Sequence, residues 1–206
     1  MHSGSKIDFG IIEILKLRFQ NLQFLELVHR LDKETSGILL IAKNRFTLKE
    51  LQKQLFLNRI KKEYIVLVKG HWNANLKKIN ISLSKSIYKK IKNKNFINYY
   101  KKKSITFFSV KKYFFNTTLI NAYPITGRTH QIRIHTQYAK HPIVLDKRYG
   151  DHKFNKEIFN LGLNRLFLHS YSITIKHPRT MENKKFFAPL DKNLILLLKK
   201  LINYKN

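Results

Sequence analysis

The sequence contains no cysteine. That excludes a thiolate nucleophile, a thiolate metal site and a disulfide framework, and it suits a reducing cytosol. Proline and glycine are scarce, 4 and 7 in 206 residues, too few to mark a linker between domains. A single domain over residues 1–206 is therefore expected. No apolar run is long enough to span a bilayer, the N-terminus carries no signal-peptide pattern, and no strongly amphipathic, lysine-flanked helix points to a membrane surface. Also absent are a P-loop, a Gly-rich dinucleotide turn, an H-E-x-x-H pair and a G-x-S-x-G elbow; Ser36-Gly37 lacks the glycine that would precede it. Histidines gather loosely at His130, His135, His141, His152, His169 and His177. His130 and His135 stand five apart, on different faces of a helix, so hydrogen-bonded or RNA-facing roles are expected and no metal.

Acids are the other shortage. Twelve Asp+Glu face 41 Lys+Arg, a net charge of +29. The chain is rich in Lys, Asn, Ile, Phe and Tyr, which an A/T-biased genome favours, and such drift inflates lysine without any gain in function. Drift does not explain why so few acids balance the lysines, so a polyanionic partner is the stronger reading. Composition does not say RNA or DNA. With 43% hydrophobic and 13% aromatic residues, the chain has the means to bury a core.

Periodicity predicts a helix over 9–19, through Ile11, Ile12, Leu15 and Phe19, and another over 47–56, through Leu48, Leu51 and Leu55. Strands are predicted over 37–43, 63–70, 104–115, 117–124, 166–176 and 184–188, with helices over 129–138 and 193–202. Strands outnumber helices and many are consecutive, which argues for α+β with a mixed or antiparallel sheet. Residues 84–103 differ from the rest, with eight lysines, no acid and the aromatics Tyr88, Phe96, Tyr99 and Tyr100. They read as a solvated loop or hairpin, or as a basic arm with aromatics for stacking on RNA.

Three segments carry groups suited to chemistry. In HRLDKETSG, Asp32 lies between Arg30 and Lys33, as a surface ion pair or as a nucleophile at the mouth of a site. In KKEYIVL, Tyr64 heads a strand. In ITGRTHQIRIH, Gly127 allows a tight turn before a helix, Arg128 is placed to meet phosphate with the free N–H groups of that helix, and Arg133 projects from its first turns. Each has a plain explanation alone: a turn, an edge tyrosine, a solvated arginine.

Taken together they resemble a known family. HRLDKETSG resembles the H-R-L-D-x-x-T-S-G signature of RluA-type pseudouridine synthases, and GRTHQIRIH resembles their G-R-[TS]-H-Q-[IL]-R-x-H segment. KKEYIVLVKG is similar to their K-x-Y-x-A/V-x-V-x-G strand, and RLFLHSYSITIKHP to their R-L-x-L-H-A-x-x-L-x-x-x-H-P stretch. HPIVLDKRYGD looks like the RluC branch. Order and spacing agree over nearly the whole chain.

The resemblance implies an α+β fold with a mixed, mostly antiparallel central sheet crossed by a cleft. It implies isomerisation of uridine to pseudouridine in large-subunit ribosomal RNA, by a cytoplasmic monomer that needs no metal or nucleotide cofactor. Asp32 matches the family's essential Asp, and Arg133 the basic residue paired with it; a guanidinium so placed favours an ionised carboxylate. Tyr64 matches the tyrosine that lies against the uracil and assists proton transfer, and Leu168 the apolar residue on the base's other side. Arg30 matches the arginine that fills the gap or holds the RNA backbone. Leu31, Arg128 and His130 complete the implied substrate-binding set.

Family members usually begin with a K-P-x-G-x-x-V-H segment, and the RluC branch with a small S4-like domain before it. The sequence starts at the end of that segment, Met1-His2-Ser3-Gly4, so a catalytic domain short of one sheet strand and of the S4-like domain is expected. The rival readings are a decayed synthase kept as a ribosomal RNA assembly factor, and a ribosomal structural protein suggested by charge and size alone. Neither predicts the acid–tyrosine–arginine set.

If 84–103 is an RNA arm, replacing Lys101, Lys102 and Lys103 with Ser lowers the slope of log affinity against log salt by about 2, three phosphate contacts' worth. Filter-binding titrations over a range of salt concentrations check this; an unchanged slope rules the arm out.

Overall fold

A computed structural model of the chain describes residues 10–83 and 102–203. The elements run α1 (Ile11–Arg18), β1 (Glu26–Leu27), β2 (Ser36–Gly37), β3 (Ile41–Ala42), α2 (Arg45–Phe56), β4 (Lys61–Lys69), β5 (Lys78–Leu83), β6 (Lys102–Tyr113) and β7 (Thr117–Pro124). Then come α3 (Gln131–Tyr138), α4 (His152–Asn160), β8 (Leu168–Lys176), β9 (Asn183–Phe187) and α5 (Lys192–Asn203). Among the described residues one sheet has the order β2-β8-β4-β7-β6-β5, with β9 added to β8. Its pairs are antiparallel except β2 with β8, which is parallel. The fold is α+β, as expected.

β4 shows why the sheet sits at the centre. Its run Ile65-Val66-Leu67-Val68 is buried throughout, as a strand covered on both faces requires. Ile65 and Leu67 point into a cluster with Phe154 and Ile158 of α4 and Leu194, Leu197 and Leu201 of α5. Val66 and Val68 point the other way, into a cluster with Trp72, Phe108, Ile120 and Ile132. Period-2 alternation thus divides one apolar strand between two cores. α2 closes a third cluster by setting Leu51 against Val28, Ile60 and Ile173, and its first turn is capped by Asn44, which accepts the Thr47 N–H at 2.8 Å.

The strand expected over 37–43 is broken. Ser36–Gly37 pairs with β8, whereas Ile41–Ala42 pairs with β1. Gly37 makes the break with φ +102°, a left-handed conformation that suits glycine. A Cβ there would lie 2.1 Å from the Ser170 carbonyl oxygen. Ser36 is fixed alongside, its Oγ 2.7 Å from His169 Nδ1 and accepting from Arg165 Nη2. The Ser-Gly of the HRLDKETSG stretch therefore anchors the loop that holds Asp32 to the sheet.

Other expectations need adjustment. The apolar side of α1 is real in sequence, yet no α1 residue is buried among the described residues. β5 and α4 were not anticipated. Gly127 has no positive φ; the left-handed residue before α3 is His130, at φ 53°. Of the basic segment, Lys102 and Lys103 begin β6, and residues 84–101 lie outside the described residues.

Gly37→Ala should cost about 3 kcal/mol, combining the positive φ with overpacking against backbone. Chemical denaturation measures it; a loss under about 1 kcal/mol would contradict the close approach to Ser170.

Candidate active site

Asp32 lies in the loop between β1 and β2, in a turn closed by the Thr35 N–H donating to the Asp32 carbonyl at 2.9 Å. This loop crosses one end of the sheet, where β4 presents Tyr64 and β8 presents Leu168 on neighbouring strands. The segment before α3 closes the other side. Gln131 fastens it: its Oε1 accepts from Thr126 Oγ1 at 2.7 Å and from the Arg128 N–H at 3.0 Å, while its Nε2 donates to the Ile105 carbonyl and to Thr106 Oγ1. The result is a cleft of about 510 Å³. All eight residues expected from sequence line it: Asp32, Tyr64, Arg133, Arg30, Leu31, Arg128, His130 and Leu168.

Arg133 joins the cleft to the interior. Its Nη1 donates to Asp32 Oδ2 at 3.4 Å. Its tighter partner is Asp146, which takes Nε at 2.7 Å and Nη2 at 2.8 Å in a two-point fork. The expectation of Asp32 as the charge partner of Arg133 is therefore refined: Asp32 receives the one remaining edge of a guanidinium already held elsewhere. Lys33 forms no ion pair with Asp32; besides Arg133, Asp32 faces His130, whose Nε2 is 3.8 Å from Oδ1.

Asp146 is fully buried, and the backbone N–H groups of Arg148 and Tyr149 also donate to its Oδ1. Burial pushes its carboxyl upward, but the hydrogen bonds and charge of Arg133 and those two N–H groups outweigh this and hold it below the ordinary value. Tyr149 packs under the same assembly, with the Arg133 guanidinium 5.1 Å from its ring centre and its hydroxyl 2.9 Å from His130 Nδ1. Sequence reasoning missed Asp146 as a site residue. Its signal lay in HPIVLDKRYGD, but nothing in that stretch says that this acid turns inward to Arg133.

The protonation states divide cleanly. Burial pushes the Tyr64 hydroxyl up to about 12, against a hydrogen bond with Ser170 and with help from the negative charge of Asp32. At neutral pH it is a proton donor and not a phenolate base. His130 is lowered, first by burial and then, against the pull of Asp32, by Arg133 and Arg148, so its imidazole is neutral. Burial also drives His29 down to about 4 and His135 to about 4. His135 bonds Ser104 at 2.8 Å, and its role is structural. Asp32 is the only carboxylate lining the cleft among the described residues, against the cations Arg30, Lys62, Arg128 and Arg133. One carboxylate among four cations, beside the Tyr64 ring and Leu168, suits an anionic ligand that carries a planar ring.

The family described as RNA pseudouridylate synthase matches residues 11–138. The chain is 48% identical over 201 residues to ribosomal large subunit pseudouridine synthase C of Haemophilus influenzae, covering 98% of this chain and 62% of that one. It is 43% identical over 205 residues to the protein of the same name from Escherichia coli, covering 98% and 64%. It thus spans under two thirds of the length of these curated relatives. Among solved structures, human RNA pseudouridylate synthase domain containing 4 is similar at TM-score 0.72 with 20% identity, covering 93% of this chain and 82% of that one. Human RNA pseudouridylate synthase domain containing 1 is similar at TM-score 0.70 with 24% identity, covering 98% and 88%. These two support the fold.

Asp146→Ala strands a buried guanidinium and should cost about 3–5 kcal/mol. The pH dependence has a definite sign. Because the folded carboxyl titrates below the usual 3.8, the stability it contributes is complete above that value and is lost as pH falls through the folded one. Thermal unfolding at several pH values should show Asp146→Asn destabilised at pH 7 and less sensitive than the parent to acid below pH 4. Equal acid sensitivity in the two proteins would contradict the linkage.

Proposed function

Since the chain belongs to the RNA pseudouridylate synthase family, we propose that it isomerises specific uridines to pseudouridine in large-subunit ribosomal RNA, with Asp32 as the nucleophile. The observation that carries this reading is the convergence of Asp32, Tyr64, Arg133 and Leu168 on one cleft, and it agrees with what the curated relatives are named for. In this reading the described sheet and the segment 84–103 belong to one catalytic domain that works as a cytoplasmic monomer.

The reaction breaks the bond between uracil N1 and ribose C1′, turns the base, and joins C5 to C1′. C5 loses a proton and N1 gains one, so no electrons are exchanged with an outside reagent. Asp32 acts either by adding to the uracil ring or by assisting departure at the ribose. Arg133 donates to Asp32 Oδ2 and sets the orientation of that carboxylate, while Asp146 keeps the guanidinium from turning away. The uridine must leave its stack, at a cost of a few kcal/mol, and burial between the Tyr64 ring and Leu168 offsets part of that.

Tyr64 acts with its proton in place. A hydroxyl pushed up to about 12 donates a hydrogen bond or a proton and does not take one at neutral pH. Arg30 and Arg128, both exposed at the mouth, serve the RNA backbone, and Leu31 and neutral His130 shape the wall beside Asp32. The intact acid–tyrosine–arginine set favours catalysis over an RNA-binding remnant.

Asp32→Asn keeps the shape of the side chain and removes its charge and nucleophilicity. It should lower pseudouridine formation by about a thousandfold or more with RNA affinity retained. Tritium release from a transcript labelled at uridine C5 reads the reaction, and filter retention reads binding. Full activity in the variant sinks the assignment of Asp32.

A further inference from the structure

Lys62 stands two residues before Tyr64 on β4 and lines the same cleft. Its ammonium reaches across to the turn that carries Arg128: a Cβ placed on Gly127 would lie 3.6 Å from Lys62 Nζ. Among the described residues it makes no ion pair. The adjacent acid is committed elsewhere, since Glu63 Oε1 accepts from the Tyr123 hydroxyl at 3.4 Å and Oε2 from Ser172 Oγ at 2.9 Å. The nearby titratable group is His29, whose imidazole is kept neutral by burial and then by Lys62 itself; its Nε2 is already taken by the Leu40 N–H.

A half-buried ammonium without a counter-charge is costly. The cost shows in its own titration, which burial holds below that of an exposed lysine with no acid to offset it. A lysine facing solvent on that strand, or an apolar residue of similar length, would avoid the cost. An anion entering the cleft would remove it.

We propose that Lys62 binds a backbone phosphate of the target strand, next to the nucleotide whose base lies on Tyr64. The claim rests on the synthase reading, which supplies an RNA strand as the occupant of the cleft. A phosphate fits better than a uracil oxygen because the missing partner is a full negative charge. Lys62 and Arg128, side by side at the Gly127 turn, then hold the backbone while Tyr64 and Leu168 hold the base.

Lys62→Met keeps the aliphatic stem and removes the charge. The full 206-residue chain is titrated with a large-subunit ribosomal RNA transcript across a range of salt concentrations, and its thermal midpoint is measured without RNA. Lys62→Met should weaken binding about tenfold at low salt and reduce the log–log salt slope by about 0.7–0.9, one phosphate contact. Its midpoint without RNA should equal or exceed that of the parent, because the unpaired charge is gone. Lys62→Arg should restore the slope.

An unchanged slope in Lys62→Met overturns the proposal. So does a lower midpoint with an unchanged slope, which would make Lys62 a structural residue. Pseudouridine formation by the parent chain is scored separately. If the parent makes none, the synthase reading fails, while the slope comparison still decides whether Lys62 contacts phosphate.

Discussion

The Arg133 side chain is only 7% exposed, and a cation so placed persists only where its charge and donors are matched. Asp146 matches it through Nε and Nη2, which leaves Nη1 to point at Asp32. The pair gains little in net stability, since desolvating two ions offsets most of their attraction. What it gains is position. With two of its three nitrogens fixed, the third has one place to be, and the carboxylate in the cleft is oriented by an interaction formed beneath it. Tyr149 adds to the same frame, stacked against Arg133 and bonded to His130. Removing Asp146 would therefore loosen the Arg133 guanidinium and, through it, the orientation of Asp32.

Much of this was legible in the sequence because the informative residues are local. Residues 63–70 were expected as a strand and make up most of β4, and the strand 117–124 was expected with its observed bounds. The eight site residues were legible through motif resemblance, and all of them line one cleft. Periodicity alone had left Asp32 undecided between a surface pair and a nucleophile.

The rest was hidden for physical reasons. Residues 37–43 look like one strand because β-branched and aliphatic residues follow one another, yet Gly37 turns the chain so that its two ends serve different sheets. Helix α4, with Phe154 and Ile158 four apart on its buried side, is only nine residues long, so its apolar face, though clear, spans little more than two turns and was passed over. Asp146 could not be told from a surface acid, because what distinguishes it is a contact with Arg133, 13 residues back in the chain. Long-range pairing of this kind leaves no periodic trace.

The cleft combines one carboxylate, a protonated tyrosine, two neutral histidines and four cations. That combination suits redox-neutral rearrangement of a base on a polyanion, and the most direct trial uses the parent protein alone. The purified 206-residue chain is incubated with an unmodified large-subunit ribosomal RNA transcript, which is then digested to nucleosides and separated. The expected result is pseudouridine, of unchanged mass and distinct retention, mapping to a few defined positions. A folded chain that binds the transcript and yields no pseudouridine would contradict the assignment.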